Sequence, residues 1–235
     1  MTRTRVKICG LTREEDLRAA CALGADAVGF VCFPGSPRFV APERLAALAR
    51  GVTPLVTPVL LFVDPAGADV ARALAAVPLA LLQFHGAEDP AFCASFGRPY
   101  LRALPMGVGV DLLEFEQRFA SAAAVLADAP AQAPAGDDPT AGSAAFGGTG
   151  RTFPWERLAP PEQRRLPLIL AGGLRADNVA EAVRRVRPYA VDVSSGVEAA
   201  RGVKDAGRMR DFLAAVRMAD AERAGSPDAV HDGGA

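Results

Sequence analysis

The chain has 235 residues, half of them apolar, and a formal net charge of −1. This length and apolar content suit one α/β barrel or two small domains with a sizeable core. The balanced charge, without a basic stripe that alternates with aromatics, argues against a nucleic-acid binder, and the apolar runs are too short to span a membrane. A predicted strand begins close to Met1 with no signal peptide before it, so we expect a cytoplasmic protein whose four cysteines are reduced.

Eight short apolar segments alternate with amphipathic segments along the chain. Their nearly continuous apolar character is typical of parallel strands that are covered on both faces. The predicted strands lie at residues 6–9, 27–33, 59–63, 80–84, 100–104, 123–127, 167–171 and 190–193. Thr12 is the predicted N-cap of the first helix, and Pro42 lies in the first turn of the second. The alternation predicts a single (β/α)8 TIM barrel over residues 1–223, with an open doubly wound sheet as the alternative.

Two segments lack the periodicity of helices and strands. Residues 130–146 are rich in Ala, Pro, Gly and Asp and follow the sixth predicted strand. Because the carboxyl ends of barrel strands face the active site, we expect these residues to form a long mobile loop on the catalytic face. Residues 224–235 are predicted to be a disordered tail.

Small residues follow the last two predicted strands. Gly172 and Gly173 end one apolar run, and Ser194, Ser195 and Gly196 end the next. Glycine allows a ligand to approach the backbone closely, and a helix start offers unpaired N–H groups to an anion. Either end alone indicates no more than a tight turn, but two in succession favour the phosphate site that barrels place after their last two strands. We therefore expect a phosphorylated small-molecule ligand.

Cys9 and Asp128 are the candidate acid–base residues, because each lies at the carboxyl end of a predicted strand. A thiol is a useful base near neutral pH when a neighbouring positive charge or dipole lowers its pKa. A carboxyl group can act as a general acid when partial burial keeps it protonated. The alternatives are a role as a small buried hydrophobic residue for Cys9 and an N-cap or loop-ordering role for Asp128.

Three further residues are candidates for contacting the ligand. Arg38 lies in a proline-stiffened loop, where its planar fork suits a carboxylate, and a solvated surface arginine is the alternative. His85 lies at a strand end, where a lone histidine is more often a hydrogen-bonded structural residue. Gly148, in the Gly-Gly-Thr-Gly sequence, adds N–H groups to the phosphate site or serves as a hinge. The chain has only two histidines and no CxxC spacing, which leaves little material for a metal site.

Taken in order, short motifs over nearly the whole chain resemble the phosphoribosylanthranilate isomerase family. The matching stretches are VKICGLT at 6–12, VGF at 28–30, SPR at 36–38, LQFHG at 82–86, LADA at 126–129, GGTG at 147–150, LAGGL at 170–174 and VDVSSGVE at 191–198. Any one of these is weak evidence, but the ordered set is highly specific. The chain departs from the family pattern at Arg151, where lysine is usual, and at Pro154, where aspartate is usual.

The resemblance implies an isomerase of tryptophan biosynthesis that acts on N-(5-phosphoribosyl)anthranilate without a metal or an organic cofactor. It implies that Asp128 is the acid, that Cys9 is the base and that Arg38 holds the anthranilate carboxylate. The residues implied to bind the substrate are His85, Gly148, Gly172, Gly173, Ser194, Ser195 and Gly196, most of them around the phosphate. We expect this phosphorylated molecule as the partner, with neither nucleic acid nor membrane, and a monomer or a homodimer.

Two other functions are considered beside this one. The histidine-pathway isomerase acts on an analogous aminoaldose, but it is expected to use two aspartates and two phosphate sites. The thiol at Cys9 and the single clear phosphate cradle argue against that enzyme. A non-catalytic barrel would bind a phosphorylated metabolite without turning it over, and the presence of both Cys9 and Asp128 argues against that role.

Overall fold

Eight parallel strands close into a barrel in the computed structural model, which describes residues 3–130 and 152–225. The strands are Arg5–Ile8 (β1), Ala27–Val31 (β2), Thr57–Phe62 (β3), Leu81–Phe84 (β4), Tyr100–Pro105 (β5), Ala124–Asp128 (β6), Leu168–Leu170 (β7) and Ala190–Val193 (β8). Each strand pairs with the next, and β1 also pairs with β8 in a register that places Lys7 beside Asp192. This closure confirms the predicted (β/α)8 fold and excludes the open sheet.

Helices follow most of the strands, as in other barrels of this class. They are Glu14–Leu23 (α1), Pro42–Ala49 (α2), Gly67–Ala76 (α3), Pro90–Ala94 (α4), Leu112–Arg118 (α5), Val179–Val186 (α6) and Ala206–Ala224 (α7). Between β6 and β7, the described residues contain only two 3₁₀ turns, Trp155–Arg157 and Pro161–Gln163. After β8 the chain forms an antiparallel pair that the sequence did not predict, Glu198–Ala200 (β9) and Val203–Lys204 (β10).

The first helix starts differently from the prediction. Helix α1 begins at Glu14, its N-cap residue is Arg13, and no side chain caps it. Thr12, the predicted N-cap, instead donates its hydroxyl hydrogen to the carbonyl oxygen of Gly202 at 2.6 Å. It therefore ties the loop after β1 to the turn between β9 and β10. Pro42 occupies the first turn of α2 as predicted, where its missing N–H is not needed.

Some predictions concern residues that the structure does not describe. The predicted mobile loop from residue 131 onward, Gly148 and residues 226–235 of the predicted tail all lie outside the described residues. Helix α7 continues to Ala224, just past the predicted end of the barrel at residue 223. All four cysteines are free thiols, as predicted. In residues 3–130 and 152–225, no helix is both long and apolar enough to cross a membrane.

The inside of the barrel combines an apolar layer with a charged one. Part of the inner wall is a small apolar cluster that includes Val59, Leu101 and Ile169. Alternate side chains of a strand point to the same face, so Lys7 faces inward from β1 as Asp192 does from β8. The two side chains form an ion pair, and Asp192 lines the pocket described next.

Candidate active site

The carboxyl ends of the barrel strands surround one open pocket, where barrel enzymes hold their substrates. Every predicted site residue that the structure describes lines this pocket: Cys9, Arg38, His85, Asp128, Gly172, Gly173, Ser194, Ser195 and Gly196. Gln83 and Asp192, which were not among the candidates, line it as well. Gly148 lies outside the described residues. The predicted acid–base, carboxylate and phosphate residues are thus brought together at one place.

Cys9 lies just past the end of β1 and is only 5% exposed. Its N–H donates to the carbonyl oxygen of Val193 at 2.8 Å, which holds it against the end of β8. Below it, Lys7 and Asp192 form a buried ion pair with Nζ and Oδ1 2.9 Å apart. Burial raises the pKa of the Cys9 thiol and Asp192 adds to the rise, whereas the positive charge of Lys7 opposes it. Cys9 belongs to the pocket wall and to neither hydrophobic cluster of the described residues.

Asp128 is the last residue of β6 and is also nearly buried. Its Oδ1 accepts a hydrogen bond from the N–H of Ala129 at 2.8 Å, so the carboxyl group does help to order the turn that follows. Its Oδ2 lies 3.2 Å from Nε2 of His85. Nδ1 of His85 lies in turn 3.2 Å from the side-chain amide of Gln83, which is completely buried. His85 and Gln83 therefore fix the position of the carboxyl group from the β4 side of the pocket.

Arg38 is buried rather than solvated, so the surface alternative for this residue is wrong. Its Nε and Nη2 donate to the two carboxylate oxygens of Glu198 at 2.7 and 2.8 Å, a bidentate pair. Glu198 also accepts from Nζ of Lys204 at 2.7 Å, and that ammonium donates to the carbonyl oxygen of Ser194 at 3.1 Å. Burial raises the pKa of Glu198, but Arg38 and Lys204 outweigh this effect and hold it below its usual value. This network connects the arginine to the loop after β8.

The predicted phosphate cradle consists of two loops in direct contact. Gly172 and Gly173 have φ angles of 82° and 61°, a left-handed conformation that favours glycine. The side chain of Asn178 donates to the carbonyl oxygen of Gly173 at 3.0 Å and accepts from the N–H of Arg175 at 2.8 Å, which braces the loop after β7. A side chain at Gly196 would overlap the carbonyl oxygen of Leu174 in that loop. The small residues are therefore required by the contact of the two strand ends.

Several charged or polar residues of the site were not predicted as site residues. These residues are Lys7, Gln83, Asp192, Glu198 and Lys204. A signal existed for Lys7, Gln83 and Asp192, because each interrupts an otherwise apolar strand, where an unpaired polar group would be costly. Glu198 and Lys204 lie on the short strands β9 and β10, which had no such signal in the sequence. Among the described residues, no group of His, Cys, Asp and Glu side chains is arranged to hold a metal ion.

A closed parallel barrel with a thiol, a carboxyl group and a glycine-lined loop pair at its carboxyl end defines a (β/α)8-barrel enzyme of small-molecule metabolism. Comparison with known proteins identifies the family. Residues 6–215 match the family model described as N-(5'phosphoribosyl)anthranilate (PRA) isomerase. The chain belongs to the N-(5'-phosphoribosyl)anthranilate isomerase family, which confirms the resemblance seen in the sequence.

Relatives and solved structures agree with this membership over almost the full chain. The isomerase of Methylibium petroleiphilum is 52% identical over 95% of this chain and 99% of the relative. The isomerase of Dechloromonas aromatica is 51% identical over 93% of this chain and 98% of the relative. The crystal structure of the Thermus thermophilus isomerase superposes with a TM-score of 0.78 at 36% identity, covering 92% of this chain and 99% of that one.

A further solved structure bears on the contents of the pocket. It is a phosphoribosylanthranilate isomerase in complex with reduced 1-(o-carboxyphenylamino)-1-deoxyribulose 5-phosphate. It superposes with a TM-score of 0.70 at 29% identity, covering 92% of this chain and 99% of that one. That molecule carries one carboxylate and one phosphate.

Proposed function

We propose that this protein converts N-(5-phosphoribosyl)anthranilate into 1-(2-carboxyphenylamino)-1-deoxyribulose 5-phosphate, the third step of tryptophan biosynthesis from chorismate. The reaction is an Amadori rearrangement by general acid–base catalysis. The observation that carries the proposal is that Cys9 and Asp128 line one pocket together with the paired strand ends at Gly172 and Gly196. A sugar held by its phosphate at those strand ends would lie within the same pocket as the thiol and the carboxyl group.

Asp128 is the proposed general acid. Its proton passes to the ring oxygen of the furanose, the bond between C1′ and that oxygen breaks, and the nitrogen lone pair forms the Schiff base. His85, 3.2 Å from Oδ2, holds the carboxyl group toward the pocket. The nearby loop after β7 packs tightly on the turn that Asp128 begins, because an added Cβ at Gly172 would lie 2.5 Å from the N–H nitrogen of Ala129. The acid is thereby held beside the proposed phosphate site.

Cys9 is the proposed general base. Its thiolate removes the proton from C2′, the electrons of that bond form the enolamine, and tautomerisation gives the ketone. An acid and a base that face one substrate must have environments that push their pKa values apart. Each proton transfer of this kind is typically worth about 10²–10⁴-fold in rate. No step requires a metal or an organic cofactor.

The two anionic groups of the substrate have separate proposed sites. The phosphate is assigned to the backbone of residues Gly172, Gly173, Ser194, Ser195 and Gly196, with Gly148 as an additional contact. The anthranilate carboxylate is assigned to Arg38. Nε and one N–H of Nη2 already bind Glu198, so the carboxylate would be met by Nη1 and the second N–H of Nη2. Glu198 would therefore hold the guanidinium rigidly, with its outer fork open to the carboxylate.

The assembly and the location of the protein follow from the same proposal. We expect a monomer or a homodimer that acts in the cytoplasm on a small phosphorylated molecule, without nucleic acid or membrane. The isomerase of Thermotoga maritima, 31% identical in one solved structure with a TM-score of 0.74, is described as a dimeric enzyme from which monomers were made. Sedimentation of the purified protein distinguishes the two states.

A fluorescence assay tests the proposed reaction. Purified protein should quench the fluorescence of phosphoribosylanthranilate by turnover in the presence of a chelator. The variants Cys9→Ser and Asp128→Asn should each lose about 10²–10⁴-fold in kcat, because each removes one proton transfer. Cys21→Ser, which changes a thiol on helix α1 outside the pocket, is the matched control and should turn over normally.

Three outcomes would contradict the proposal. Near-native rates in both active-site variants would remove Cys9 and Asp128 from the mechanism. Binding of the substrate without turnover would indicate a regulatory barrel instead. Preference for the analogous aminoaldose of histidine biosynthesis would reassign the substrate.

A further inference from the structure

We propose that Lys7 is a positioning residue that stabilises the thiolate form of Cys9, and that Asp192 holds Lys7 in place for this purpose. The inference rests on the proposed role of Cys9 as the base, and it adds two residues that neither touch the reacting atoms nor bind phosphate. Both lie inside the barrel, below the thiol.

Lys7 and Asp192 are nearly buried, at 3% and 8% exposure. They are register partners on the adjacent strands β1 and β8, and their side chains form an ion pair at 2.9 Å. Removing two charges from water costs several kcal/mol per ion, and well-packed apolar residues at such positions are often equally stable or more stable. The pair is therefore a poor device for stability alone, in a barrel whose inner wall is otherwise largely apolar.

The position of Gly29 on β2 shows how closely Lys7 and Cys9 approach each other. A Cβ added at Gly29 would lie 2.8 Å from Sγ of Cys9 and 3.2 Å from Nζ of Lys7. The thiol and the ammonium thus converge on the same point beside β2, and the missing side chain of Gly29 leaves room for both. A cation within about 4–6 Å of a thiol favours the charged form of that thiol.

Other charged groups face Cys9 from each neighbouring element. Asp192 approaches from β8, Lys204 from β10 and Arg38 from the loop after β2. Asp128 and His85 line the same pocket. Burial has the largest effect on the pKa of Cys9 and raises it, Lys7 is the strongest opposing group, and Asp192 offsets part of what Lys7 contributes. Lys204 also lowers this pKa, but by less than Lys7 does.

The protons of Cys9 and Lys7 are both accounted for in this arrangement. When the thiol ionises in the free protein, its proton passes to solvent, and the resulting thiolate lies beside an ammonium that keeps its own proton. Burial disfavours the charged form of Lys7, but Asp192 and Cys9 outweigh it and raise the pKa of Lys7 above its ordinary value. When the thiolate takes the proton from C2′, Lys7 remains paired with Asp192. The ammonium therefore acts only through its charge and neither gives nor takes a proton.

The test is a titration of Cys9 without substrate. The ultraviolet absorbance of the thiolate is followed against pH for each protein and for the same protein carrying Cys9→Ala, and the difference reports Cys9 alone. Burial raises the pKa of Cys32 to about 12 and of Cys93 to about 11, so these thiols ionise late and cancel in the difference. The variants are Lys7→Met and the double variant Lys7→Met/Asp192→Asn, which leaves no lone buried charge.

We expect Lys7→Met to move the Cys9 titration upward by about 1–3 pH units. The double variant should move it upward by less, since the carboxylate that opposes ionisation is gone as well. In both, the acidic limb of kcat against pH should move with the thiol, and kcat at neutral pH should fall about tenfold for each pH unit, with KM nearly unchanged.

A purely structural role predicts a different result. Thermal stability would then change, but the thiol titration and the acidic limb would stay in place, and that result in the double variant would overturn the inference. The titration needs no turnover, so it is separate from the proposed function. An inactive wild-type protein would refute the function, whereas an unmoved thiol titration in an active protein would refute the role of Lys7.

Discussion

The two sides of the pocket hold their reactive groups in different surroundings. On the β1 and β8 side, Cys9 lies among the ion pairs of Lys7 with Asp192 and of Arg38 with Glu198. On the β4 and β6 side, the described partners of Asp128 are an imidazole ring and a backbone N–H. A fixed cation favours the anionic form of a neighbour, so the first side suits a thiolate. The two candidate residues therefore lie in different surroundings, Cys9 beside fixed charges and Asp128 beside an imidazole ring and a backbone N–H.

The largest expected effect is on the stability of the fold, and it comes from breaking the ion pairs that Glu198 forms with Arg38 and Lys204. Glu198→Gln leaves Arg38 and Lys204 without their shared buried carboxylate, which should lower the free energy of unfolding by about 3 kcal/mol. Urea denaturation at neutral pH measures the loss. Arg18→Gln, which breaks an exposed pair with Glu14, is the control and should cost less than about 1 kcal/mol.

The difference in stability between the wild type and Glu198→Gln should depend on pH, and the direction of this dependence follows from the pKa of Glu198. The pKa of Glu198 is lower in the folded than in the unfolded chain, so its contribution is present above the unfolded carboxyl pKa and is lost as the pH falls through the folded value. The stability curves of wild type and Glu198→Gln should therefore converge in acid. Curves that stay parallel down to low pH would mean that Glu198 contributes no charge-dependent stability.

A smaller effect, on kcat, should come from displacing the thiol of Cys9, the proposed base, without removing it. In Gly29→Ala the new Cβ would lie 2.8 Å from Sγ of Cys9, so the thiol must rotate away from its present position. A displacement of this size should lower kcat about 10²-fold, with KM little changed because the nearest atoms to the new Cβ belong to Cys9 and Lys7 and not to the proposed phosphate site. Steady-state kinetics measures both. Gly67→Ala, where an added Cβ meets nothing within 4 Å, is the matched control, and equal losses in the two variants would contradict the prediction.

The smallest effect, also on kcat, is expected from changing His85, which lies beside the proposed acid Asp128. His85→Phe keeps a ring beside Asp128 but removes its hydrogen bond, which should lower kcat about tenfold. His85→Gln retains a side-chain donor and should recover part of the loss. If His85→Phe raised KM and left kcat unchanged, the histidine would contact the substrate rather than support the acid.

The barrel was predictable because its signal is repeated along the chain. Each strand gives an apolar run and each strand end gives a small or polar residue, so errors of one or two residues at the boundaries do not change the topology. The last strand was predicted to the residue, at Ala190–Val193, since Pro188 before it and Ser194 after it mark both ends. Thr12 was misplaced as an N-cap because a local pattern cannot reveal that the hydroxyl group has a partner at Gly202.

The site was predictable only in part, for a related reason. Cys9 and Asp128 were candidates because the rule that strand ends carry the chemistry is local, and both line the pocket. The partners of the candidate residues depend on contacts between distant parts of the chain: Arg38 and Glu198 are 160 residues apart. A single sequence gives the charge of each residue but not the pairing, so Arg38 was assigned a carboxylate ligand without its partner Glu198 being foreseen.

The pairing of Lys7 with Asp192 has a consequence for how the protein is made. These residues are 185 positions apart and meet only where the first strand joins the last. During synthesis, the amino-terminal strands leave the ribosome long before β8. Until β8 has been made, the ammonium of Lys7 cannot pair with the carboxylate of Asp192. Fragments that end before β8 should thus lack an organised thiol, and the proposed base is in place only once β8 has closed the barrel.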